Sequence, residues 1–266
     1  MAEFFDTHAH LDYSSFASDM NEVIARAQSA GISKIISIGT TLDSSRRAVE
    51  LARTFSNVYA VVGWHPSEAA EAPDDFRSAL RELARQPKVA AIGETGLDYH
   101  RLPDSESARA QYKRRQAALF EQHLEVALEF GLNCVIHQRD AFEDTLAQLK
   151  PFAQRVRGVF HCFGESSGRM KQVLEIGSLV SFTGIITFKN GQNARETVAA
   201  TPLGKFMLET DCPYLAPVPY RGKRCEPAYV KEISETVVQV KKCSPEELSA
   251  ATCGTAREFF RNLDER

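Results

Sequence analysis

The sequence predicts an α/β fold, a (β/α)₈ TIM-type barrel, on three observations. The chain has 266 residues, a length at which one such barrel is common. Short apolar runs rich in β-formers recur along it, and each is followed by a longer segment of helical character. Histidine or acidic residues stand at the ends of most of these runs. We therefore expect residues 1–266 to form a single barrel domain.

The predicted strands are nearly continuous apolar runs, as expected of parallel strands that are buried on both faces. In chain order they are Phe4–Asp6, Lys34–Ile38, Tyr59–Gly63, Val89–Glu94, Asn133–His137, Gly158–His161, Leu179–Thr183 and Phe206–Thr210. Their alternation with helical segments indicates a parallel sheet with helical crossovers. An open doubly wound sheet is the alternative fold, but it gives less reason for reactive residues at so many strand ends.

Two helices carry clear local signals. Apolar side chains mark one helical face between Tyr112 and Leu128, and Gly131 is placed to end that helix. The last helix begins at Ser244-Pro245-Glu246-Glu247, which offers an N-cap serine, a proline at the first helical position and a glutamate two residues further on.

Composition and charge exclude several classes of protein. The formal net charge of −3 argues against a broad basic surface that coats a duplex, although bound cations and local arginines can still hold phosphates. The chain has no membrane-spanning run, no signal-peptide pattern and no phosphate-binding glycine motif. Its six cysteines include no C-x-x-C pair. We expect a cytoplasmic protein without a disulfide framework, a membrane or a required protein partner.

The residues with metal or acid–base chemistry fall at the carboxyl ends of the predicted strands. His8 and His10 form an H-x-H pair, and the alternation of an extended chain directs both side chains to one side. The corresponding residues of later strands are Glu94, His137, His161 and Asp211. In a barrel these strand ends meet at one mouth, where active sites of this architecture lie.

Four imidazoles and two carboxylates suit one or two divalent cations, and Mg, Mn and Zn all remain candidates. We expect two ions per chain. One is assigned to His8, His10 and Asp211, the other to His137 and His161, with Glu94 between them. Such a pair can activate water and polarise a phosphoryl or carbonyl oxygen. Asp211 is also the candidate general base, and Glu94 is the second candidate catalytic carboxylate.

Several neighbouring residues have structural interpretations. Asp6 shares a strand face with the histidine pair, and support of the ligands from behind is favoured over direct ligation. His123 lies on an apolar helix face, which predicts a packed, hydrogen-bonded core histidine. Strand alternation turns Cys162 and Cys212 away from the mouth, so we expect buried small residues and not nucleophiles there.

Three residues are candidates for substrate contact. His65, in Gly63-Trp64-His65-Pro66, either touches substrate or shapes a turn, and metal ligation by it is not expected. Arg139 follows His137 by two residues, and Arg221 lies in the loop after the eighth strand. Guanidinium groups match the geometry of a phosphate beside metal ions. The neighbouring Lys223 and Arg224 are expected to be solvated.

A set of motifs in this chain resembles the TatD family of metal-dependent deoxyribonucleases, in the wider amidohydrolase-like superfamily. The motifs are Asp6-Thr7-His8-Ala9-His10-Leu11-Asp12, Gly63-Trp64-His65-Pro66, Gly93-Glu94-Thr95-Gly96-Leu97-Asp98, His137-Gln138-Arg139, His161-Cys162-Phe163 and Glu209-Thr210-Asp211-Cys212-Pro213. The motifs occur in order, and the resemblance extends from residue 4 to about residue 260.

The resemblance implies a (β/α)₈ barrel, divalent metals and hydrolysis of phosphodiester bonds in DNA, with 3′–5′ exonuclease action on single strands or 3′ ends. The ligand positions of the family fall on the same six residues that the strand ends indicate. One departure is Cys225, which stands where the family has asparagine in the loop after the last strand. It removes the ground for a polar substrate contact at that position.

Two other functions stay open. The same ions would serve a hydrolase of an amide or ester, such as an aminoacyl-tRNA linkage, although a neutral substrate would not need Arg139 and Arg221. A non-catalytic scaffold is disfavoured, because unpaired buried carboxylates and imidazoles are costly to keep.

Overall fold

A computed structural model describes residues 2–263, and within them eight parallel strands follow one another in sequence order. The strands are β1 Phe4–Ala9, β2 Ile32–Ile38, β3 Val58–Val62, β4 Val89–Asp98, β5 Cys134–Arg139, β6 Gly158–Phe160, β7 Leu179–Phe182 and β8 Phe206–Leu208. Each overlaps a predicted strand. The α/β prediction and the barrel architecture are confirmed.

The barrel is nearly closed by contacts between β1 and the segment that follows β8. A parallel bridge joins Ala9 to Cys212. The backbone N–H of Asp211 donates to the carbonyl of His8 at 2.9 Å, and the N–H of His10 donates to the carbonyl of Cys212 at 2.8 Å. These bonds hold two sequence-distant candidate ligand segments side by side.

Helices surround the strands. They are α1 Met20–Ser29, α2 Leu42–Thr54, α3 Arg77–Ala84, α4 Glu106–Phe130, α5 Phe142–Leu149, α6 Ser167–Glu175, α7 Gln192–Ala200, α8 Val230–Lys241 and α9 Pro245–Phe259. Gly131 ends α4 in the left-handed conformation, and Ser244 and Glu247 form a capping box at the start of α9, so both helix-end predictions are confirmed. No helix among residues 2–263 is long and apolar enough to cross a bilayer.

One end of the barrel is closed by the carboxyl-terminal part of the described chain. Phe259 and Phe260 belong to one buried hydrophobic cluster with side chains of the strands, including Ile36 and Met207. The backbone N–H of Arg261 donates to the carbonyl of Ala90 at 2.9 Å, near the start of β4. The opposite end, where the strands finish, is left for the functional site.

Two strands are irregular where they carry candidate ligands. The pairing of β1 with β2 shifts between Asp6 and Ala9, and His8 lies inside the strand, not after it as predicted. The pairing of β4 with β5 shifts between Ile92 and Thr95, and β4 continues to Asp98, so the prediction that Glu94 ends the strand is wrong. Interrupted ladders bend a strand and re-aim its side chains, which is common next to active sites.

Candidate metal centre

Glu94 lies at the centre of a cluster of imidazoles at the carboxyl end of the barrel. Its Oε1 is 2.8 Å from Nε2 of His161, 3.0 Å from Nδ1 of His137 and 3.3 Å from Nε2 of His65. Its Oε2 is 3.4 Å from Nε2 of His8. The two carboxylate oxygens therefore face different groups of imidazoles, which is the arrangement expected of a carboxylate between two ions.

The H-x-H pair and Asp211 form the other half of the cluster. Oδ1 of Asp211 is 3.3 Å from Nε2 of His10 and 3.7 Å from Nε2 of His8. The two histidine Nε2 atoms are 3.4 Å apart, as the alternation of an extended strand predicts. The structure thus brings together all six predicted ligands: His8, His10, Glu94, His137, His161 and Asp211.

The donor atoms fit divalent cations. In each of three groups of residues, the donor atoms lie within 4.8 Å of one another. The groups are His8 with His10 and Asp211, His8 with Glu94 and His161, and His65 with Glu94 and His137. Oε2 of Glu94 is buried and has no hydrogen-bond partner among the described residues. Imidazole nitrogens that face one another at 3.2–3.4 Å have only one proton to share, whereas a cation satisfies both. The residues therefore suit a metal centre.

The two carboxylates of the cluster carry negative charge that needs positive charge nearby. Burial acts to raise the pKa of Glu94, but the charges of His161, His65 and His8 outweigh it and hold that pKa well below its usual value. Burial also acts to raise the pKa of Asp211. The hydrogen bond from His10 and the charges of neighbouring imidazoles outweigh burial, so that pKa is lowered. Both carboxylates are therefore ionised at neutral pH. Protons on the imidazoles or divalent cations can neutralise them.

Two carboxylates that the sequence analysis did not single out hold the imidazoles from behind. Oδ2 of Asp98 is 3.0 Å from Nε2 of His137. Oε1 of Glu209 is 3.5 Å from Nδ1 of His161, and Glu209 also accepts hydrogen bonds from the N–H of Cys162 and the hydroxyl of Ser181, both at 2.6 Å. A glutamate that directly follows an apolar strand is the signal that could have identified Glu209, because buried carboxylates need partners.

Asp6 supports the cluster without facing it. It is fully buried, and its carboxylate accepts the N–H of His8 at 3.3 Å. The N–H and hydroxyl of Thr210 donate to it at 2.9 Å and 2.6 Å. Asp6 therefore ties β1 to the segment after β8, in agreement with the supporting role predicted for it.

His65 both shapes a turn and faces the cluster, whereas the sequence analysis treated a turn and a place in the site as alternatives. Its Nδ1 accepts the N–H of Ser67 at 3.1 Å, which shapes the turn after β3. Its Nε2 faces Glu94 and lies with His137 in one of the donor groups, although metal ligation by His65 was not expected. Gly63 makes this approach possible, because a Cβ there would lie 2.5 Å from the carbonyl oxygen of Gly93.

The predicted arginines have different surroundings. Arg139 lines the cavity above the cluster, and its exposed guanidinium has no bonding partner among residues 2–263. Arg221 is not brought to that cavity: it stacks on Phe188 at 3.7 Å and donates to the carbonyl of Ala216 at 3.1 Å. Arg101 lines the cavity beside Arg139 and was missed, because only the loop conformation places it there.

One prediction for the loop after β8 is wrong. Arg224 is not solvated as predicted, because its guanidinium bonds to both carboxylate oxygens of Asp19 at 2.8 Å and 2.6 Å. Lys223 is exposed, with its ammonium over the ring of Tyr220. Cys225 is fully buried and therefore offers substrate no contact in this structure.

The other histidine and cysteine predictions agree with the structure, with one exception. His123 is buried, and its Nε2 accepts the N–H of Trp64 at 2.8 Å. Cys212 is buried, whereas Cys162 is only partly buried and lies 3.6 Å from the hydroxyl of Thr183. Burial raises the pKa of both thiols well above the usual value, so neither is a ready nucleophile.

A cavity of about 810 Å³ opens above the cluster. Five of the six predicted ligands line it, His8 being the exception, together with His65. Arg101, Arg139 and the rings of Tyr13 and Tyr214 also line it. Its volume is in the range of small-molecule and cofactor sites, and its lining is more polar and charged than theirs.

The chain resembles known proteins along nearly its whole length. The chain is 37% identical over 258 residues to the "Uncharacterized metal-dependent hydrolase YabD" of Bacillus subtilis (strain 168), covering 97% of this chain and 98% of the relative. It is 33% identical over 262 residues to the "3'-5' ssDNA/RNA exonuclease TatD" of Klebsiella pneumoniae (strain 342), covering 96% and 97%.

The fold matches a solved structure of a homologue. The crystal structure of YJJV, a TatD homologue from Escherichia coli K12, superposes with a TM-score of 0.88 at 27% identity, covering 97% of each chain. The family described as TatD related DNase matches residues 5–261. The chain therefore belongs to the TatD-related DNase family of metal-dependent hydrolases.

Proposed function

We propose that this protein is a deoxyribonuclease that hydrolyses phosphodiester bonds in single-stranded DNA, as a 3′–5′ exonuclease. The observation that carries the proposal is that the donor cluster and the guanidinium of Arg139, which has no partner within residues 2–263, lie in one cavity. A substrate that is itself anionic uses both features, because the arginine can hold a phosphate beside the cations. The name of the Klebsiella relative, an exonuclease on single-stranded DNA and RNA, supports the same chemistry.

Two divalent ions, of Mg, Mn or Zn, are part of the proposal. His8, His10 and Asp211 would hold one, His137 and His161 the other, and Glu94 would lie between them, with His65 as a further donor beside His137. When bound, such ions neutralise a phosphate and lower the pKa of water. We also propose a reducing, cytoplasmic location and action of residues 1–266 as one barrel domain.

Proton transfer and positioning of the substrate are assigned to side chains of this protein. Asp211 is ionised and lines the cavity, so its carboxylate can take a proton from the attacking water. Arg139 and Arg101 can orient the phosphate, because their guanidinium groups reach the same cavity. Asp98 holds the ring of His137 so that Nδ1 faces Glu94.

Release of nucleotides from labelled single-stranded DNA in Mg²⁺ or Mn²⁺ tests this proposal. The unmodified protein is expected to shorten the strand from its 3′ end, so a 5′ label gives a ladder and a 3′ label gives mononucleotide at once. His137→Ala and Asp211→Ala are expected to abolish the activity. Asp74→Ala, at a fully exposed side chain that does not line the cavity, is the control.

Activity that survives in both site variants would belong to a contaminant and contradict the proposal. The alternative hydrolase of an amide or ester is tested in parallel with an aminoacyl-tRNA and a cyclic amide. Turnover of either substrate, with none of DNA, would favour that alternative.

A further inference from the structure

A second depression adjoins the cavity of the metal centre. It has a volume of about 670 Å³ and lies between the loop after β1 and the start of α2. Tyr13, Thr40 and Tyr214 line both depressions, so the two form one continuous cleft. The reaction proposed above uses nothing in the second depression.

Two tyrosines stand at the junction of the depressions. Tyr13 packs on the ring of His10, with centroids 5.1 Å apart and an interplanar angle of 27°. Tyr214 meets Tyr13 edge-on at 6.0 Å and is 54% exposed. An exposed ring that is held by an aromatic contact offers a face on which any nucleobase can stack. Bases in a duplex already stack on their neighbours, so an unpaired strand is the form that can use it.

The second depression also carries a cation. Arg47, from α2, is 57% exposed and donates one hydrogen bond to Oδ2 of Asp12 at 3.0 Å. The side chain of Asp12 is buried and also accepts the hydroxyl of Ser44 at 2.8 Å, so the arginine is anchored at one point. Its other N–H groups have no partner in the described part of the chain. Because Asp12 offsets part of the charge, this contact positions a phosphate more than it attracts one.

We propose that the second depression is a subsite for nucleotides of a single strand next to the bond that is cut. One base stacks on Tyr214, and the adjacent backbone phosphate contacts Arg47. This inference rests on the proposed nuclease function and adds a substrate class to it: an oligonucleotide longer than a dinucleotide. Turnover should then depend on strand length.

Steady-state kinetics in Mn²⁺ on oligothymidylates of increasing length test the subsite. For the unmodified protein we expect KM to fall from the dinucleotide to the octanucleotide. Tyr214→Ala is expected to raise the octanucleotide KM about tenfold, the order of one lost stacking contact, with kcat changed much less. Tyr214→Phe keeps the ring and is expected to restore the low KM.

Arg47→Gln should raise the octanucleotide KM as well. This increase in KM should be smaller at high salt. Arg46→Gln is the matched control, because this neighbouring α2 arginine pairs with Asp43 and does not line the depression. Thermal unfolding of every variant checks that these exposed positions leave the fold intact.

Two results overturn the subsite: a KM that is independent of length in the unmodified protein, or an octanucleotide KM that Tyr214→Ala leaves unchanged. Either leaves the nuclease proposal standing. If the unmodified protein turns over neither the dinucleotide nor the octanucleotide, the nuclease proposal itself fails and the subsite with it.

Discussion

Asp98 and Glu94 hold the ring of His137 from opposite sides. Oδ2 of Asp98 lies 3.0 Å from Nε2, and Oε1 of Glu94 lies 3.0 Å from Nδ1. An ionised carboxylate only accepts hydrogen bonds, so Asp98 retains the proton on Nε2, which leaves Nδ1, on the side of Glu94, as the nitrogen that can bind a cation.

Asp98→Asn is therefore expected to weaken binding of divalent metal by about 10- to 100-fold, as loss of a carboxylate behind a ligating histidine does in other metal sites. Titration of the metal-free protein with Mn²⁺, followed by calorimetry, measures the effect. Asp140→Asn is the control, because Asp140 pairs with His100 at the exposed rim and asparagine tolerates its left-handed backbone. Equal affinity of both variants would remove the positioning role of Asp98.

The two predicted substrate arginines should behave differently. Arg139→Gln is expected to lower kcat/KM on single-stranded DNA about tenfold, because one charge-assisted contact to phosphate is lost. Arg221→Gln should change it less than about twofold, because Arg221 is bound to Phe188 and Ala216. The salt dependence of kcat/KM should become shallower only for Arg139→Gln. The reverse ranking would show that the loop after β8 closes on the substrate.

His123 should make folding stability depend on pH. Burial lowers its pKa to about 4, so the unfolded chain, with an ordinary pKa of 6.5, binds a proton that the folded protein rejects. Stability from this group is complete above pH 6.5 and is lost as the pH falls toward 4, by about 3 kcal/mol in total.

His123→Gln removes that titration while keeping an acceptor for the N–H of Trp64. Urea unfolding of both proteins in EDTA gives the difference between their free energies of unfolding at each pH. The advantage of the unmodified protein should shrink between pH 6.5 and pH 4. A difference that is constant over this range would contradict the neutral, buried histidine.

Gly96 should tolerate no side chain. Its φ is +133°, and a Cβ would lie 2.0 Å from the carbonyl oxygen of His137 on the neighbouring strand. Gly96→Ala is expected to destabilise the fold by more than about 4 kcal/mol or to prevent soluble expression. Gly254→Ala is the control: it lies inside α9 with nothing within 4 Å, and we expect it to stabilise by about 0.5–1 kcal/mol. Chemical denaturation compares them, and an unaffected Gly96→Ala would contradict the close approach of β4 and β5.

The strands, and the convergence of the six predicted ligands at one end of the barrel, could be predicted from the sequence because both depend on local pattern. Apolar runs define buried parallel strands, and parallel strands direct their carboxyl ends to one rim. The position of a ligand within its strand could not be read, because the shifts beside His8 and Glu94 arise from pairing with neighbouring strands.

Residues that act across strands were also hidden. Glu209 meets His161 through the register of β6, β7 and β8, and no spacing in the sequence encodes that contact. His65 reaches Glu94 only because Gly63 lets the turn after β3 pack against β4. Arg221 and Arg224 were assigned from residue type and their place in the loop after β8, but the loop conformation gives each a protein partner that neither reveals.

The central claim is that side chains from separate strands hold two cations around Glu94. Anomalous diffraction from crystals grown in Mn²⁺ tests it most directly. We expect two peaks, one among His8, His10 and Asp211 and one beside His137, with the carboxylate of Glu94 between them. Peaks only at other places in the crystal, with none in contact with Glu94, would contradict the account.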